Sequence, residues 1–193
     1  MPAFRTAFQG YAVKFSPFEE GKLAVATSQN FGIIGNGKQY VLQVSAARRP
    51  ARRRRRPALQ RPTSNAAPAR SLAAPAPCNH QMTPSGMVEF RSFDTADGLY
   101  DCVWSEENEN ILVSASGDGS LKVWDLAAPP GANPLRSLEE HAHEAYCLNW
   151  NPVRRDCFLS GSWDDTVKLW NLARPASLRT FAEHTYCVYA AQW

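Results

Sequence analysis

Long apolar runs, paired cysteine motifs and phosphate-binding glycine loops are all missing from this chain of 193 residues. No run reaches about 18 apolar residues, so we predict no membrane-spanning helix. The opening segment, MPAFRTAFQGYAV, lacks a charged region followed by an apolar one, and we predict no secretory signal. No glycine-rich loop precedes a predicted helix, which argues against nucleotide binding. With 44% hydrophobic residues, the chain can still build the core of one domain.

Acidic residues and lysine are also absent from one long stretch, Ser45 to Gly86. This stretch, which we call the insert, holds nine arginines, seven prolines and ten alanines, with hardly any β-branched or aromatic side chains. Such a composition buries too little apolar surface to offset its ordering entropy, so we predict that the insert is disordered. Removing its nine positive charges from the net charge of +3 leaves −6, and the rest of the chain is therefore acidic.

What the sequence does contain is a repeat. LVSASGDGSLKVWD (Leu112 to Asp125) matches FLSGSWDDTVKLWN (Phe158 to Asn171) at a separation of 46 residues. EHAHEAYCLNW (Glu140 to Trp150) recurs 43 residues later as EHTYCVYAAQW (Glu183 to Trp193). Apolar and polar side chains alternate within the copies, as they do in strands, and turn-forming residues separate these strands. A period of 43 to 46 residues ending in Trp-Asp predicts an all-β fold, a partial WD-repeat β-propeller.

The repeats divide into predicted blades of four strands each. Residues 1–44 are expected to hold strands a to c of a first blade that lacks the Trp-Asp pair. Residues 45–86 are the insert, and residues 87–193 are expected to hold the rest of blade one, blades two and three, and the start of blade four. About three blades and one further strand do not close a ring of four to eight blades. We therefore expect the chain to represent part of a longer propeller, and a non-functional truncated variant stays an alternative.

Polar residues recur at fixed places in these repeats. His141, Ser160, Asp164 and Trp170 have the spacing at which WD repeats place a hydrogen-bonded tetrad. In such a tetrad the aspartate of the tight turn orients the histidine, and the serine and tryptophan complete the chain of bonds. We predict a structural role for all four, because a satisfied buried network stabilises one arrangement of a blade.

The cysteines and histidines do not indicate a metal or catalytic site. Five cysteines are present, with no CxxC pair: Cys78, Cys102, Cys147, Cys157 and Cys187. Three of them fall in predicted first strands, where a free thiol behaves as a small hydrophobe, so we expect a reducing compartment. His141 and His143 beside Glu144 are the nearest candidates for a metal site, but His141 already belongs to the tetrad. We therefore predict no catalytic residue, no metal and no cofactor.

The arginine run from Arg52 to Arg56 suggests a different class of function. Five consecutive arginines could bind phosphates or act as a nuclear localisation signal. The insert, however, has no aromatic residue that could stack on bases, and charge runs are usually solvated. Nucleic-acid binding is therefore not the favoured prediction.

Two stretches are more particular than the WD signature. They are VATSQNFGIIGNG (Val25 to Gly37) and FDTADGLYDCVWSE (Phe93 to Glu106). With the whole of GYAVKFSPFEEGKLAVATSQNFGIIGNGKQYVLQV (Gly10 to Val44), they resemble the peroxisomal receptors for type-2 targeting signals, the peroxin-seven family. FLSGSWDDTVKLW and EHTYCVYAAQW continue the likeness in the same order. The resemblance covers about 1–44 and 87–193, whereas the insert has no counterpart in it.

The resemblance implies a cytosolic receptor rather than an enzyme. Such receptors bind proteins carrying the N-terminal signal Arg-Leu-five residues-His-Leu, cycle to the peroxisome, and work with a co-receptor and docking proteins. It implies no small-molecule substrate and no membrane span. The signal is an amphipathic helix, and its basic side chains suit an acidic propeller face. The alternative is a WD-repeat scaffold of another complex.

The same resemblance selects candidate cargo-binding residues. In a WD propeller the loops that enter each first strand lie on one face with the turns between second and third strands. In blades two and three these positions are occupied by Asp97, Tyr100, Asp101, Glu144, Tyr146 and Trp163.

Overall fold

The computed structural model describes residues 3–32, 35–44 and 86–193. These residues form twelve strands in three antiparallel sheets of four, with two short 3₁₀ turns at Gln29–Gly32 and Pro130–Ala132. The predicted all-β fold class is confirmed. The disorder predicted for the insert concerns residues 45–85, which lie outside the described residues. Within the described ranges, no helix is long and apolar enough to cross a membrane.

Blade one is a sheet with the strand order β1-β2-β3-β4. Its strands are β1 (Gln9–Phe15), β2 (Lys22–Ser28), β3 (Gly37–Val44) and β4 (Met87–Thr95). Val44 pairs with Met87, and Gly37 pairs with Thr95, so the insert connects two hydrogen-bonded neighbours. Although blade one lacks the Trp-Asp pair, it has the same four-stranded architecture as the blades that follow.

Blades two and three repeat this order with shorter strands. Blade two contains β5 (Leu99–Trp104), β6 (Ile111–Ser116), β7 (Ser120–Asp125) and β8 (Arg136–Glu139). Blade three contains β9 (Ala145–Trp150), β10 (Phe158–Ser162), β11 (Val167–Trp170) and β12 (Arg179–Phe181). In each blade every strand pairs antiparallel with the next along the chain.

Neighbouring blades pack face to face through their apolar residues. The first strands make many of these contacts. Strand β5 packs on β1 and β2, and β9 packs on β5 and β6. Between blades one and two the core includes Phe93 stacked on Trp124, with ring centroids 4.8 Å apart. Between blades two and three it includes Phe158 and Trp170, both fully buried. Each sheet is therefore buried on every face that a neighbouring blade covers.

The segment after blade three carries no strand in the structure. The sequence predicts a further first strand within residues 182–193, but these residues make isolated contacts instead of a ladder. Val188 N–H donates to the Ser162 carbonyl at the end of β10 over 2.9 Å, and the Val188 side chain is buried. Trp193 Nε1–H donates to the Asn149 carbonyl of β9 over 3.1 Å. The segment thus lies against blade three.

The cysteines in the described residues are free thiols. Cys102 and Cys147 lie in the first strands β5 and β9, as predicted, and both are buried. Burial raises the pKa of Cys102 to about 12 and that of Cys147 to about 11, so both stay protonated at neutral pH. Cys187 lies in the segment without strand structure, and Cys78 lies outside the described residues.

Glycine and aspartate occupy the same position in the turns of blades two and three. Gly119 has φ of +80° and Asp165 has φ of +64°. A Cβ on Gly119 would lie 2.8 Å from the His141 carbonyl oxygen and 2.9 Å from that of His143. Gly119→Ala is therefore expected to cost more than about 1 kcal/mol in the free energy of unfolding, because strain and overlap add. The free energy of unfolding of Asp165→Gly is expected to stay within about 0.5 kcal/mol of that of the parent chain, because glycine adopts this φ freely.

Urea unfolding followed by tryptophan fluorescence measures both changes. Equal losses in the two variants would contradict the assignment of these two residues to equivalent turn positions.

Candidate functional site

A chain of hydrogen bonds fixes the turn and the third strand of blade three. Trp170 Nε1–H donates to Ser160 Oγ over 2.7 Å, and Ser160 Oγ lies 2.7 Å from His141 Nε2. His141 Nδ1 lies 2.8 Å from Asp164 Oδ2. The side chain of His141 is fully enclosed, and Ser160 and Trp170 are fully buried. The four side chains predicted as a tetrad thus lie in one hydrogen-bonded network.

The neighbours of His141 define its tautomer and charge. Nδ1 faces a carboxylate, which only accepts, so Nδ1 carries the hydrogen and Nε2 accepts from the Ser160 hydroxyl. Burial lowers the pKa of His141 below its ordinary value, against the opposing effect of Asp164. Burial alone would raise the pKa of Asp164, but hydrogen bonds from Thr166, His141 and a backbone N–H lower it to about 2. At neutral pH a neutral imidazole therefore meets a carboxylate.

Acid is expected to destabilise the chain over two successive ranges of pH. The pKa of His141 in the folded chain lies below its ordinary 6.5. As the pH drops, His141 is therefore protonated in the unfolded chain before it is protonated in the folded chain, and stability falls below about pH 6.5. The pKa of Asp164 is about 2 against an ordinary 3.8, so its contribution is lost between about pH 4 and pH 2. Urea midpoints measured from pH 7.5 to pH 2.5 would show both losses.

A pair of histidine variants isolates the first range. His141→Gln is expected to remove the loss of stability that begins near pH 6.5. His184→Gln is the matched control, because His184 occupies the corresponding sequence position 43 residues later and is exposed. The same pH profile in parent and His141→Gln would contradict the neutral assignment.

Blade two carries a variant of this network that reaches into blade one. Trp124 Nε1–H donates to Ser114 Oγ over 2.8 Å, but Thr95 stands at the position that corresponds to His141. The Ser114 hydroxyl instead donates to Gln39 Oε1 on β3 over 2.8 Å. Gln39 is fully buried. The polar network of blade two therefore links two blades, because the blade lacks its own histidine.

Four tyrosines form a continuous row at one end of the first strands. Ring centroids are 5.3 Å apart for Tyr11 and Tyr100, 5.1 Å for Tyr100 and Tyr146, and 5.2 Å for Tyr146 and Tyr189. We call these four residues the aromatic row. Trp163, from the turn between β10 and β11, stacks on Tyr146 with centroids 5.7 Å apart. Trp163 and Tyr189 are exposed and the other three are partly exposed, so these rings form a surface.

Local backbone geometry places the first three tyrosines in this row. Each lies at a β-bulge in its first strand: Tyr11 between Gly10 and Ala12, Tyr100 between Leu99 and Asp101, and Tyr146 between Ala145 and Cys147. In each case the flanking residues pair with successive residues of the second strand, and the tyrosine is left without a partner in the register. A bulge re-aims the side chain of its extra residue. The row is therefore built by the same irregularity in three blades.

Two of the predicted acidic residues lie beside the row. Burial raises the pKa of Tyr100, and the negative charges of Asp97 and Glu144 raise it further. The Glu144 carbonyl accepts a hydrogen bond from Trp163 N–H over 3.1 Å, which ties this loop to the turn that carries the indole. Asp97 Oδ1 accepts from Gly98 N–H over 2.7 Å. The structure thus brings Tyr100, Asp97, Glu144 and Trp163 to one face.

Asp101 is placed differently from the other five candidates. Its side chain is only 14% exposed, and Oδ2 accepts the Leu148 N–H of blade three over 2.9 Å. Oδ1 accepts the Cys102 N–H over 2.8 Å and lies 3.8 Å from Lys14 Nζ. Burial raises the pKa of Asp101, with the hydrogen bonds and Lys14 acting in the opposite direction. The carboxylate therefore connects three blades and presents little surface to a ligand.

Sequence reasoning did not select Tyr11 and Tyr189, although the repeat contains the signal for both. Tyr100 and Tyr146 are 46 residues apart, and Tyr189 follows Tyr146 by 43, which are the two periods of the repeat. Alignment of Phe15 with Trp150 likewise places Tyr11 opposite Tyr146. Extending the candidate set along the repeat would have found the whole aromatic row.

Sheets of four strands, Trp–Ser hydrogen bonds in two successive blades and the Trp-Asp spacing define a WD40-repeat protein. The family model described as WD domain, G-beta repeat, matches residues 89–125 and 132–171. The chain is similar to receptors for peroxisomal targeting signal 2 along most of its length, so the resemblance inferred from the sequence is confirmed.

Three of these relatives show the extent of the similarity. The peroxisomal targeting signal 2 receptor of Dictyostelium discoideum is 46% identical over 151 residues, which are 78% of this chain and 36% of the relative. Peroxisome biogenesis protein 7 of Arabidopsis thaliana is 49% identical over 151 residues, with the same coverage. The receptor of Homo sapiens is 38% identical over 142 residues, 74% of this chain and 32% of the relative. The chain thus spans about a third of the length of these curated relatives.

Proposed function

We propose that the chain forms part of a receptor for the N-terminal type-2 peroxisomal targeting signal, and that the aromatic row contacts the signal. The observation that carries this proposal is the spacing of the row. Its ring centroids are 5.1 to 5.3 Å apart, close to the 5.4 Å pitch of an α-helix. A helix laid along the row brings successive turns over successive rings.

The charges around the row suit the same ligand. In the signal Arg-Leu-five residues-His-Leu the two leucines are seven residues apart, so they lie on one face of a helix. This apolar face meets the rings, and the basic side chains meet the carboxylates of Asp97 and Glu144. Such rim charges contribute specificity and association rate more than affinity. We therefore propose Asp97, Tyr100, Glu144, Tyr146 and Trp163, together with Tyr11 and Tyr189, as the cargo-binding surface, with Asp101 holding the blades in place.

The cellular role follows from that of the proteins named as receptors above. We propose that cargo is bound in the cytosol, without chemistry, and is delivered for import into the peroxisomal matrix. A co-receptor and docking proteins of the peroxisome complete the cycle, and the receptor returns to the cytosol. The chain takes no part in catalysis in this scheme.

Fluorescence anisotropy with a labelled peptide bearing the type-2 signal tests this proposal. The matched control is the same peptide with its arginine and histidine replaced by glutamine. The expected result is saturable binding of the first peptide and much weaker binding of the second, with the difference shrinking at high salt because exposed charges are screened. Equal binding of both peptides, or of neither, would overturn the proposal and favour a WD-repeat scaffold of another complex.

A further inference from the structure

A second candidate binding site lies at the opposite end of the same strands. The row tyrosines stand near the beginning of β5 and β9, whereas the second site begins where these two strands end, at Ser105 and Trp150. A strand of six residues is about 17 Å long, so the two sites lie on opposite faces. The site is a cleft of about 870 Å³ between blades two and three, and we call it the underside cleft.

The floor of the underside cleft is apolar. Ile111, Val123 and Trp150 line it and belong to the core between blades two and three, and Leu172 packs against that core. Leu135 lines the cleft and is 55% exposed, and Phe18 from blade one lines it and is 44% exposed. Large apolar side chains left open in a concave site are typical of a surface that receives an apolar group.

The rim of the underside cleft is acidic. Glu107, Glu109 and Asp156 line it, and within the described ranges neither glutamate forms an ion pair. Hydrogen bonds from the backbone N–H of Glu107 and of Asn108 to Ser105 Oγ fix the loop that carries these glutamates. The basic lining residue, Arg136, already donates from Nη1 to the Leu172 carbonyl over 2.8 Å. Asp156 pairs with Arg154 over 3.1 Å, so the carboxylates left without an ion pair at the described rim are those of Glu107 and Glu109.

We propose that the underside cleft binds a short basic segment of another protein, with one large apolar side chain on the cleft floor and flanking lysine or arginine at Glu107 and Glu109. The apolar floor supplies burial for a single side chain, and the acidic rim selects a positively charged sequence around it. This site is independent of the aromatic row and takes an extended segment rather than a helix. It gives the chain a second partner on the face opposite the cargo.

A fluorescent peptide, Lys-Arg-Phe-Lys-Arg with blocked ends, is a suitable probe because five residues are too few to form a stable helix. Anisotropy titration of the whole chain is expected to show saturable binding that weakens as salt is added. Replacing the phenylalanine with glycine is expected to abolish saturable binding. Equal binding of the glycine peptide would overturn the proposal, because it would show general electrostatic adhesion only.

Charge-neutralising variants test whether the peptide binds at the underside cleft. Glu107→Gln combined with Glu109→Gln is expected to weaken binding about fivefold. Glu106→Gln is the matched control, since Glu106 belongs to the same loop but does not line the underside cleft, and it is expected to bind as the parent does. Unchanged binding in the double variant would overturn the proposal.

Two further outcomes would indicate a different binding site for the peptide or a different ligand for the underside cleft. Loss of binding in Tyr146→Ala would show that the probe occupies the aromatic row, and would overturn the proposal while leaving the cargo-binding proposal standing. A change in oligomeric state of the double glutamine variant, without any peptide binding, would assign the underside cleft to a second copy of the chain. A cooperative thermal unfolding transition shows that each variant folds. The glutamine variants are expected to melt close to the parent, because exposed substitutions away from packed residues change stability little.

Discussion

Trp170→Ala is expected to lower the free energy of unfolding by about 3 to 5 kcal/mol. Trp170 is fully buried and lies in the core between blades two and three. Its removal leaves a cavity and also removes the N–H that donates to Ser160 Oγ. A loss of this size is comparable to the whole stability of a marginal domain, so the variant is expected to be largely unfolded at 25 °C.

Two companion variants separate packing from hydrogen bonding at this site. Trp170→Phe keeps a large ring but loses the N–H, so it is expected to fold and to be less stable than the parent by about 1 to 3 kcal/mol. Trp163→Ala removes the same type of side chain from an exposed turn position, where Trp163 is 37% exposed, and is expected to cost under about 1 kcal/mol. Urea unfolding followed by far-ultraviolet circular dichroism measures the two companion variants, and the circular dichroism spectrum without urea measures the unfolded fraction of Trp170→Ala. A smaller loss in Trp170→Ala than in Trp163→Ala would contradict the assigned core.

Tyr146→Ala is expected to weaken binding of the type-2 signal peptide by roughly 30-fold, which corresponds to about 2 kcal/mol. Tyr146 is central to the proposed surface, because its ring contacts those of Tyr100, Tyr189 and Trp163. Residues that dominate binding energy are typically aromatic and stand at the middle of an interface. The loss should appear mainly in the dissociation rate, since the substitution changes no charge.

Two controls sharpen this experiment. Tyr146→Phe keeps the ring and is expected to bind within about threefold of the parent, because the apolar face supplies most of the contact. Tyr186→Ala removes a tyrosine that is 77% exposed and lies outside the aromatic row, and it is expected to leave binding unchanged. Equal weakening by Tyr186→Ala and Tyr146→Ala would contradict the aromatic row as the binding surface.

The sequence predicted the strands of the three blades and the spacing of the tetrad, because both follow directly from the repeat. Alternating side chains define strands, and the separations among His141, Ser160, Asp164 and Trp170 place them in one blade. Tyr100 and Tyr146 of the aromatic row were predicted for the same reason, together with Asp97, Glu144 and Trp163, since loops and turns at equivalent positions of a repeat share a face.

The features that sequence reasoning did not foresee depend on contacts between blades. Asp101 follows the bulge at Tyr100, and its carboxylate reaches the backbone of blade three instead of the open face. Gln39 completes the network of blade two from a position 75 residues before Ser114. Neither contact recurs with the period of the repeat, because each joins residues at different positions of different repeats. The underside cleft was missed for a similar reason, since loops from separate blades line it.

The pairing of β3 with β4 has a consequence for how the chain folds. Every other neighbouring pair of strands within a blade is joined by a connection of three to ten residues. In contrast, Val44 and Met87 are 43 residues apart, and Gly37 and Thr95 are 58 apart. Contacts between distant residues form slowly, because the chain must first lose the entropy of closing the long loop between them. We therefore expect blades two and three to reach their native pairing before β4 docks on the other three strands of blade one. Phe93 of β4 stacks on Trp124 of β7, so the docking of β4 also completes a contact between blades one and two.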